Sequence, residues 1–218
     1  MRRRWATVVL ATCLLTLIAC TPAAETGKGQ DADAGSRFSV PNVGPADIDV
    51  DTPKLRRLKR DAGVEPCVPG DGAPVDGGLP ALTLPCFGGG PDVDLSALRG
   101  PLVVNLWAVW CAPCRREMPV LQEFHERYGE QVGVLGIDYE DVQTRSAMEL
   151  VVETGVTYPL LADPQSSLSG ADPLPVLRGL PFLLLVDADG RVVHQEFVEI
   201  EDVDQLVGLV EKHLKVAL

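Results

Sequence analysis

The sequence predicts an α/β fold, a central mixed sheet flanked by helices in the order β-α-β-α-β-β-α, with an N-terminal extension in front of it. Residues 102–109 form an apolar, β-branched run that is typical of a buried strand. Apolar side chains then recur every three or four positions over 112–128, which indicates that a helix follows at once. Near the C-terminus, Asp189-Gly190 separates two apolar runs and predicts a β-hairpin.

The other elements of the sheet follow from the same patterns. Residues 132–138 indicate a second buried strand, and residues 141–153 indicate a helix that Asp141 can cap. Alternating strands and helices favour parallel pairing, whereas the hairpin adds antiparallel strands. A closing helix is expected over 202–216, because its apolar residues fall on one stripe.

Two shorter elements are predicted upstream of the sheet. Thr52 is a suitable N-cap, and Pro53 a suitable first residue, for a short basic helix. An edge strand is expected over 79–85, where the prolines are confined to its margins. We expect residues 20–63 to be a flexible tether, since much of this stretch is small and polar, and residues 64–218 to form the folded domain.

Composition and charge argue against two classes of function, nucleic-acid binding and metal binding. The chain has 218 residues and a formal net charge of −12, which suits one globular domain with tails and argues against a nucleic-acid partner. A zinc site requires four ligands, whereas the three histidines, His125, His194 and His213, are far apart in the sequence. We therefore expect no metal site and no cofactor.

Cys111 and Cys114 lie where the first strand ends and its helix begins. The free N–H groups and the positive end of the helix dipole at such a point favour a thiolate. Two thiols three residues apart can also close a small disulfide ring. A lowered thiol pKa with a partner thiol within reach equips the pair for thiol–disulfide exchange.

Cys67 and Cys86 complete an even set of four cysteines after the N-terminal apolar segment. Four cysteines allow three connectivities, and pairing Cys111 with Cys114 leaves only Cys67–Cys86. Such a bridge closes a loop of about 20 residues, which contributes roughly 3 kcal/mol in the chain-entropy model. We expect a structural disulfide, and the alternative is a second redox pair.

The N-terminus has the features of an export signal. A basic start precedes an apolar segment over 5–19, roughly 15 residues long, which is short for a membrane span but suits a signal peptide. The segment ends in Ala19-Cys20 after aliphatic residues, and this ending resembles the bacterial lipobox. The resemblance implies that residues 1–19 are removed and that Cys20 carries a diacylglycerol anchor; the alternative is an ordinary secretory signal. In either case the chain is exported to a compartment where disulfides persist.

The stretch 105–119, NLWAVWCAPCRREMP, resembles the TlpA/ResA/DsbE-like branch of the thioredoxin superfamily. Residues 179–190, GLPFLLLVDADG, resemble that family's second signature, in which a cis-proline precedes the β-hairpin. The likeness runs from about residue 79 to the C-terminus. It implies a thioredoxin fold.

By position, the resemblance implies that Cys111 is the exposed attacking thiolate and Cys114 the more buried resolving thiol. Cys111 would form a mixed disulfide with the substrate, and Cys114 would then attack it and release the substrate reduced. The resemblance also implies that Pro181 is cis and that the Leu180 backbone holds an extended substrate peptide beside the sulfurs.

Trp110 and Pro113 are expected to border the same substrate groove, and Phe182 to make its wall bulkier and more apolar. Glu117 matches an acid that lies near the disulfide in ResA-like members. A carboxylate there would exchange protons with the resolving thiol or raise a thiol pKa by like-charge repulsion; the alternative is an exposed helix glutamate. Asn105 stands where thioredoxin has a buried aspartate, so that proton route is absent.

The resemblance implies a thiol–disulfide oxidoreductase that reduces disulfides of exported proteins, apocytochrome c among them. Its electrons would come from a membrane protein of the CcdA/DsbD type. Three alternatives stay open: an oxidase that donates disulfides, a copper-binding Sco-like module on the same fold, and a peroxidase-type thiol enzyme.

Overall fold

The computed structural model describes residues 48–218, so the predicted signal segment and Cys20 lie outside the described residues. The helices are α1 Pro53–Ala62, α2 Ala112–Tyr128, α3 Thr144–Thr154 and α4 Val203–Leu214. The strands are β1 Thr83–Leu84, β2 Val93–Asp94, β3 Leu102–Trp107, β4 Gly133–Tyr139, β5 Leu160–Asp163, β6 Phe182–Val186 and β7 Val192–Glu196.

The main sheet has the strand order β5-β4-β3-β6-β7, and β3 lies at its centre. β3 pairs in parallel with β4 and antiparallel with β6, and β6 and β7 form the predicted hairpin. The predicted mixed sheet is therefore confirmed. It gains one parallel edge strand, β5, which the predicted order lacks.

The sheet is covered on both faces, which explains why its central strands are apolar throughout. One core cluster lies between the sheet and the helices, and the other lies under β1, β2 and the loop before β6. Within β4, Gly136 allows close packing, because a Cβ there would lie 2.6 Å from Cδ2 of Leu160 and 3.2 Å from the Trp107 ring nitrogen.

The predicted tether over 20–63 is too long, because α1 belongs to the folded domain. Leu55 is only 1% exposed, and α1 packs against α3. Thr52 caps the helix as predicted, with its hydroxyl accepting a hydrogen bond from the Leu55 N–H at 3.2 Å. Most residues of α1 are charged, so the sequence carries little indication that one narrow face of the helix is buried.

Two boundary predictions are also corrected. The strand expected over 79–85 is reduced to β1, which pairs with β2 outside the main sheet. Helix α3 begins at Thr144, and Asp141 does not cap it. Instead, the Asp141 carboxylate accepts hydrogen bonds from the N–H of Gln143 at 2.8 Å and from the N–H of Val109 at 2.7 Å.

We expect Leu55→Ala to destabilise the whole domain by about 2–5 kcal/mol, because the truncation leaves a cavity between α1 and α3. Urea unfolding followed by circular dichroism would measure the change. Lys54→Ala, at an exposed position of the same helix, is the matched control and should change stability by less than about 0.5 kcal/mol. Equal stability of the two variants would contradict the placement of α1 in the domain.

Candidate redox site

Cys111 and Cys114 form a disulfide at the N-terminus of α2. Cys111 is the N-cap residue, and its sulfur accepts a hydrogen bond from the Cys114 N–H at 3.2 Å. After reduction, a thiolate at this position would face the unpaired N–H groups and the positive end of the helix dipole. The structure therefore places the sulfurs where the sequence predicted.

The two cysteines differ slightly in exposure, and both are buried in the disulfide form. Cys111 is 4% exposed and Cys114 is completely buried. The predicted exposure concerns the reduced Cys111 thiolate, whereas in the disulfide form this residue is almost fully buried. Trp110, directly before it, is 52% exposed and presents the largest apolar surface beside the pair.

The loop after β4 supports the loop that carries the cysteines. Asp141 accepts the Val109 N–H, and the Trp110 ring N–H donates to the Glu140 carbonyl at 3.3 Å. Asp138, at the end of β4, is buried, and burial next to Asp141 raises its pKa well above the ordinary value. The sequence predicted Asp141 only as a helix cap and did not single out Asp138, which lies within the strand beside β3.

Pro181 follows a cis peptide bond, as expected. In the register of β3 and β6, Leu106 pairs with Phe182, so Pro181 lies at the sheet end where β3 turns into the cysteine loop. Leu180, just before it, is half-buried. Of the other residues predicted for the groove, Trp110 is exposed and Pro113 is half-buried.

Phe182 does not form a groove wall. Its side chain is buried in the core cluster under the loop before β6, with its ring centroid 4.5 Å from that of Phe197. Phe197 is the half-exposed aromatic ring of this pair. The expectation for Phe182 is therefore wrong, because the first residue of β6 already turns its side chain into the core.

Glu117 is completely buried, which excludes the alternative of an exposed helix glutamate. Its Oε1 accepts a hydrogen bond from Asn105 Nδ2 at 2.8 Å, and its Oε2 accepts one from the Ile200 N–H at 3.1 Å. Burial raises its pKa to about 7, against the opposing effect of these two hydrogen bonds. It stands one helical turn after Cys114 on the same face of α2.

Asn105 suits both protonation states of Glu117. Its amide nitrogen donates to the carboxylate, while its own Oδ1 is buried without a partner. A flipped amide would instead present Oδ1 to the O–H of a protonated Glu117, at no cost in space. An aspartate at 105 would place two carboxyl groups next to each other. Asparagine at this position therefore suits a site whose buried acid, Glu117, lies on α2.

Cys67 and Cys86 form the second disulfide, as predicted. Both residues are buried, and the bridge joins the chain after α1 to Cys86, which lies two residues after β1 and pairs with Leu161 of β5. Its surroundings differ from those of the first pair, because a buried lysine, Lys59, lies against it.

The histidines are less scattered than the sequence suggests. The rings of His194 and His213 stack with centroids 4.0 Å apart. Even so, residues 48–218 contain no group of three His, Cys, Asp or Glu side chains placed to hold a metal ion. Over the same residues, no helix is both long and apolar enough to cross a bilayer.

Comparison with known proteins identifies the family. The model of the AhpC/TSA family matches residues 75–195, and the chain belongs to this family. It is 30% identical over 125 residues to the thiol-disulfide oxidoreductase ResA of Bacillus thuringiensis, covering 56% of this chain and 69% of the relative. It is 34% identical over 125 residues to the thiol:disulfide interchange protein DsbE of Pseudomonas fluorescens, covering 57% and 66%.

A solved structure agrees with these relatives. A secreted thiol-disulfide isomerase from Corynebacterium glutamicum superposes with a TM-score of 0.53 and 25% identity, over 63% of this chain and 83% of its own. The thioredoxin fold and the resemblance to the ResA and DsbE branch are thereby confirmed. The chain is a thiol–disulfide oxidoreductase.

We expect Glu117→Gln to remove a pH-dependent loss of stability. The carboxyl has a folded pKa of about 7 against an ordinary value of 4.5, so the folded state retains a proton that the unfolded state has lost. The wild type should therefore lose up to about 3 kcal/mol as pH rises from about 4.5 to about 7. The amide of glutamine keeps both hydrogen-bonding positions without a charge.

Urea unfolding of the oxidised protein at about pH 5 and about pH 8 would test this. The glutamine variant should gain stability relative to the wild type between the two pH values. Glu123→Gln, at an exposed position of the same helix, should follow the wild-type profile. Parallel profiles for all three proteins would rule out the raised pKa.

Proposed function

We propose that this protein is a membrane-tethered, extracytoplasmic reductase of disulfides in exported proteins, with Cys111 and Cys114 as its redox pair. The observation that carries the proposal is a disulfide at a helix N-terminus with a buried acid, Glu117, one turn behind it. The relatives named ResA and DsbE support the reaction class. The secreted structural neighbour supports a place outside the cytoplasm.

The reaction begins with the reduced pair. The Cys111 thiolate attacks one sulfur of the substrate disulfide and expels the other as a thiolate, which leaves a mixed disulfide. Cys114 loses its proton and attacks Cys111 Sγ, which releases the second substrate sulfur. The substrate gains two electrons and two protons, one proton released by Cys114 and one from water, and the protein keeps the Cys111–Cys114 disulfide.

Glu117 is the group proposed to accept the proton that Cys114 loses. With a pKa of about 7, it exists in both protonation states at neutral pH, so it can accept the proton of Cys114 and release it again. Trp110, Pro113, Leu180 and Pro181 form the proposed groove for an extended substrate peptide. The backbone of Leu180 would pair with that peptide beside the sulfurs.

Glu117 also favours a protein that reduces substrate disulfides over one that donates them. Strong oxidases of this class owe their potential to a stabilised reduced thiolate. A buried carboxylate behind Cys114 disfavours a thiolate and so favours the disulfide form of the protein. The pair should therefore donate electrons to substrate rather than accept them.

The proposed substrates include apocytochrome c, and the proposed electron donor is a membrane protein of the CcdA/DsbD type. The proposed tether is a lipid on Cys20. Cells given a labelled fatty acid should label the wild-type protein but not Cys20→Ala, and a wild-type protein without label would exclude the lipid anchor.

We expect Cys111→Ser to abolish disulfide reduction and Cys114→Ser to accumulate the mixed disulfide, because the second variant can attack but not resolve. Reduction of a disulfide peptide, followed by non-reducing mass spectrometry, would measure both. Near-ultraviolet circular dichroism serves as the control for folding. Wild-type rates in the Cys111 variant would refute the assignment.

The reduction potential decides between reductase and oxidase. We expect a value near that of thioredoxin, about −270 mV, measured by equilibrating the Cys111–Cys114 pair with redox buffers. A value near that of DsbA, about −120 mV, would instead support the oxidase. Stoichiometric copper uptake would favour the Sco-like alternative, and consumption of peroxide would favour the peroxidase.

A further inference from the structure

The Cys67–Cys86 disulfide lies against a buried lysine. Lys59, on α1, is only 6% exposed. Its Nζ lies 2.9 Å from Cys86 Sγ, 3.9 Å from Cys67 Sγ and 3.0 Å from the Gly89 carbonyl oxygen. None of these partners carries a negative charge, and disulfide sulfurs are weak acceptors.

A buried ammonium without an anion beside it is unfavourable. Desolvation accordingly lowers the pKa of Lys59. The acid that faces it, Asp51, receives two hydrogen bonds from the Arg56 guanidinium, each 2.6 Å long. The missing counterion would be created if Cys86 became a thiolate.

The surrounding chain is shaped around this contact. Gly88, Gly89 and Gly90 all have positive φ values, of 72°, 94° and 137°. A Cβ at Gly88 would lie 3.1 Å from the Lys59 Cβ, and one at Gly90 would lie 2.8 Å from Cys86 Sγ. This glycine turn closes directly over the lysine and the sulfur, which other residues could not do.

The two sulfurs have different surroundings. Cys67 lines a largely apolar cavity of about 210 Å³, which Glu65, Val68 and His125 also border. Cys86 instead faces Lys59. A thiol that enters the cavity would therefore meet Cys67 first, and the sulfur that leaves would be the one beside the ammonium.

We propose that Cys67–Cys86 is a second reducible dithiol–disulfide couple, and that Lys59 is the positioning residue that stabilises Cys86 as a thiolate in its reduced state. The reductant is a dithiol. One of its thiolates attacks Cys67 Sγ, and the S–S bond breaks to leave the Cys86 thiolate paired with Lys59.

The second thiol of the reductant then attacks the mixed disulfide and frees Cys67. The reductant leaves as a disulfide, two electrons pass to the protein, one proton goes to Cys67 and one to water. Lys59 keeps its proton throughout. This couple is separate from Cys111–Cys114 and does not depend on the function proposed for that pair.

The test is to equilibrate the full chain with mixtures of reduced and oxidised dithiothreitol, quench with acid, alkylate, and read each cysteine pair by peptide mass spectrometry. Lys59→Met removes the charge with little change in volume. It should need at least about a tenfold higher ratio of reduced to oxidised dithiothreitol to half-reduce Cys67–Cys86. Lys54→Met, on the exposed side of α1, should stay within twofold of the wild type, and the Cys111–Cys114 equilibrium should be the same in all variants.

The pH dependence separates a charge effect from loss of packing. Reduction that leaves one thiolate releases one proton, so the wild-type equilibrium constant should rise between about pH 6 and 8, toward tenfold per pH unit. Lys59→Met should be flat over this range, and Lys59→Arg should keep the rise. Other charged groups nearby are Asp51, Arg56 and Arg60 beside the lysine, and Glu65, Arg99 and His125 around the cavity that Cys67 lines.

His125→Gln controls for the imidazole and should keep the wild-type rise. A flat wild-type profile would overturn the proposal, as would equal equilibrium constants for wild type and Lys59→Met, or reduction of Cys67–Cys86 only on unfolding. If Lys59→Met fails to fold by circular dichroism, the wild-type profile and Lys59→Arg still decide.

Discussion

A carboxyl group buried without a counterion is the constraint around which the redox site is arranged. Glu117 links three parts of the chain, since its oxygens accept from Asn105 on β3 and from the backbone at Ile200, before α4. Burial of such a group is costly, and the two hydrogen bonds only partly offset that cost. On the outside of the same junction, Arg116 forms an ion pair with Glu199 at 2.7 Å, which holds this segment against α2.

The two disulfides lie beside buried charges of opposite sign. Glu117 stands one helical turn from Cys114, whereas the Lys59 ammonium contacts Cys86 directly. A carboxylate disfavours a nearby thiolate and an ammonium favours one. One chain therefore holds two cysteine pairs whose surroundings shift their thiol pKa values in opposite directions. Two pairs that differ in this way need not have the same redox role.

Much of the redox site could be predicted because it depends on local order along the chain. A buried strand that runs directly into a helix fixes the place of Cys111 and Cys114, and the glycine-containing turn at 189–190 fixes the hairpin. The environment of Lys59 could not be predicted, because the basic surroundings of α1 gave no sign that one lysine faces inward. The burial of Phe182 agrees with the apolar run of β6, all of which is buried, whereas the expected groove wall depended on the family resemblance alone.

The pKa of Glu117 also determines what the acid can do during turnover. A carboxyl with an ordinary pKa would stay ionised at neutral pH and would be a weak base for a thiol. At about 7, the carboxyl binds and releases a proton with little driving force in either direction, which suits a group that takes a proton from Cys114 and returns it. Asn105 permits the cycle, because an amide can donate to the charged form and accept from the neutral one. The same burial that destabilises the carboxylate thus produces the proton acceptor that the resolving step requires.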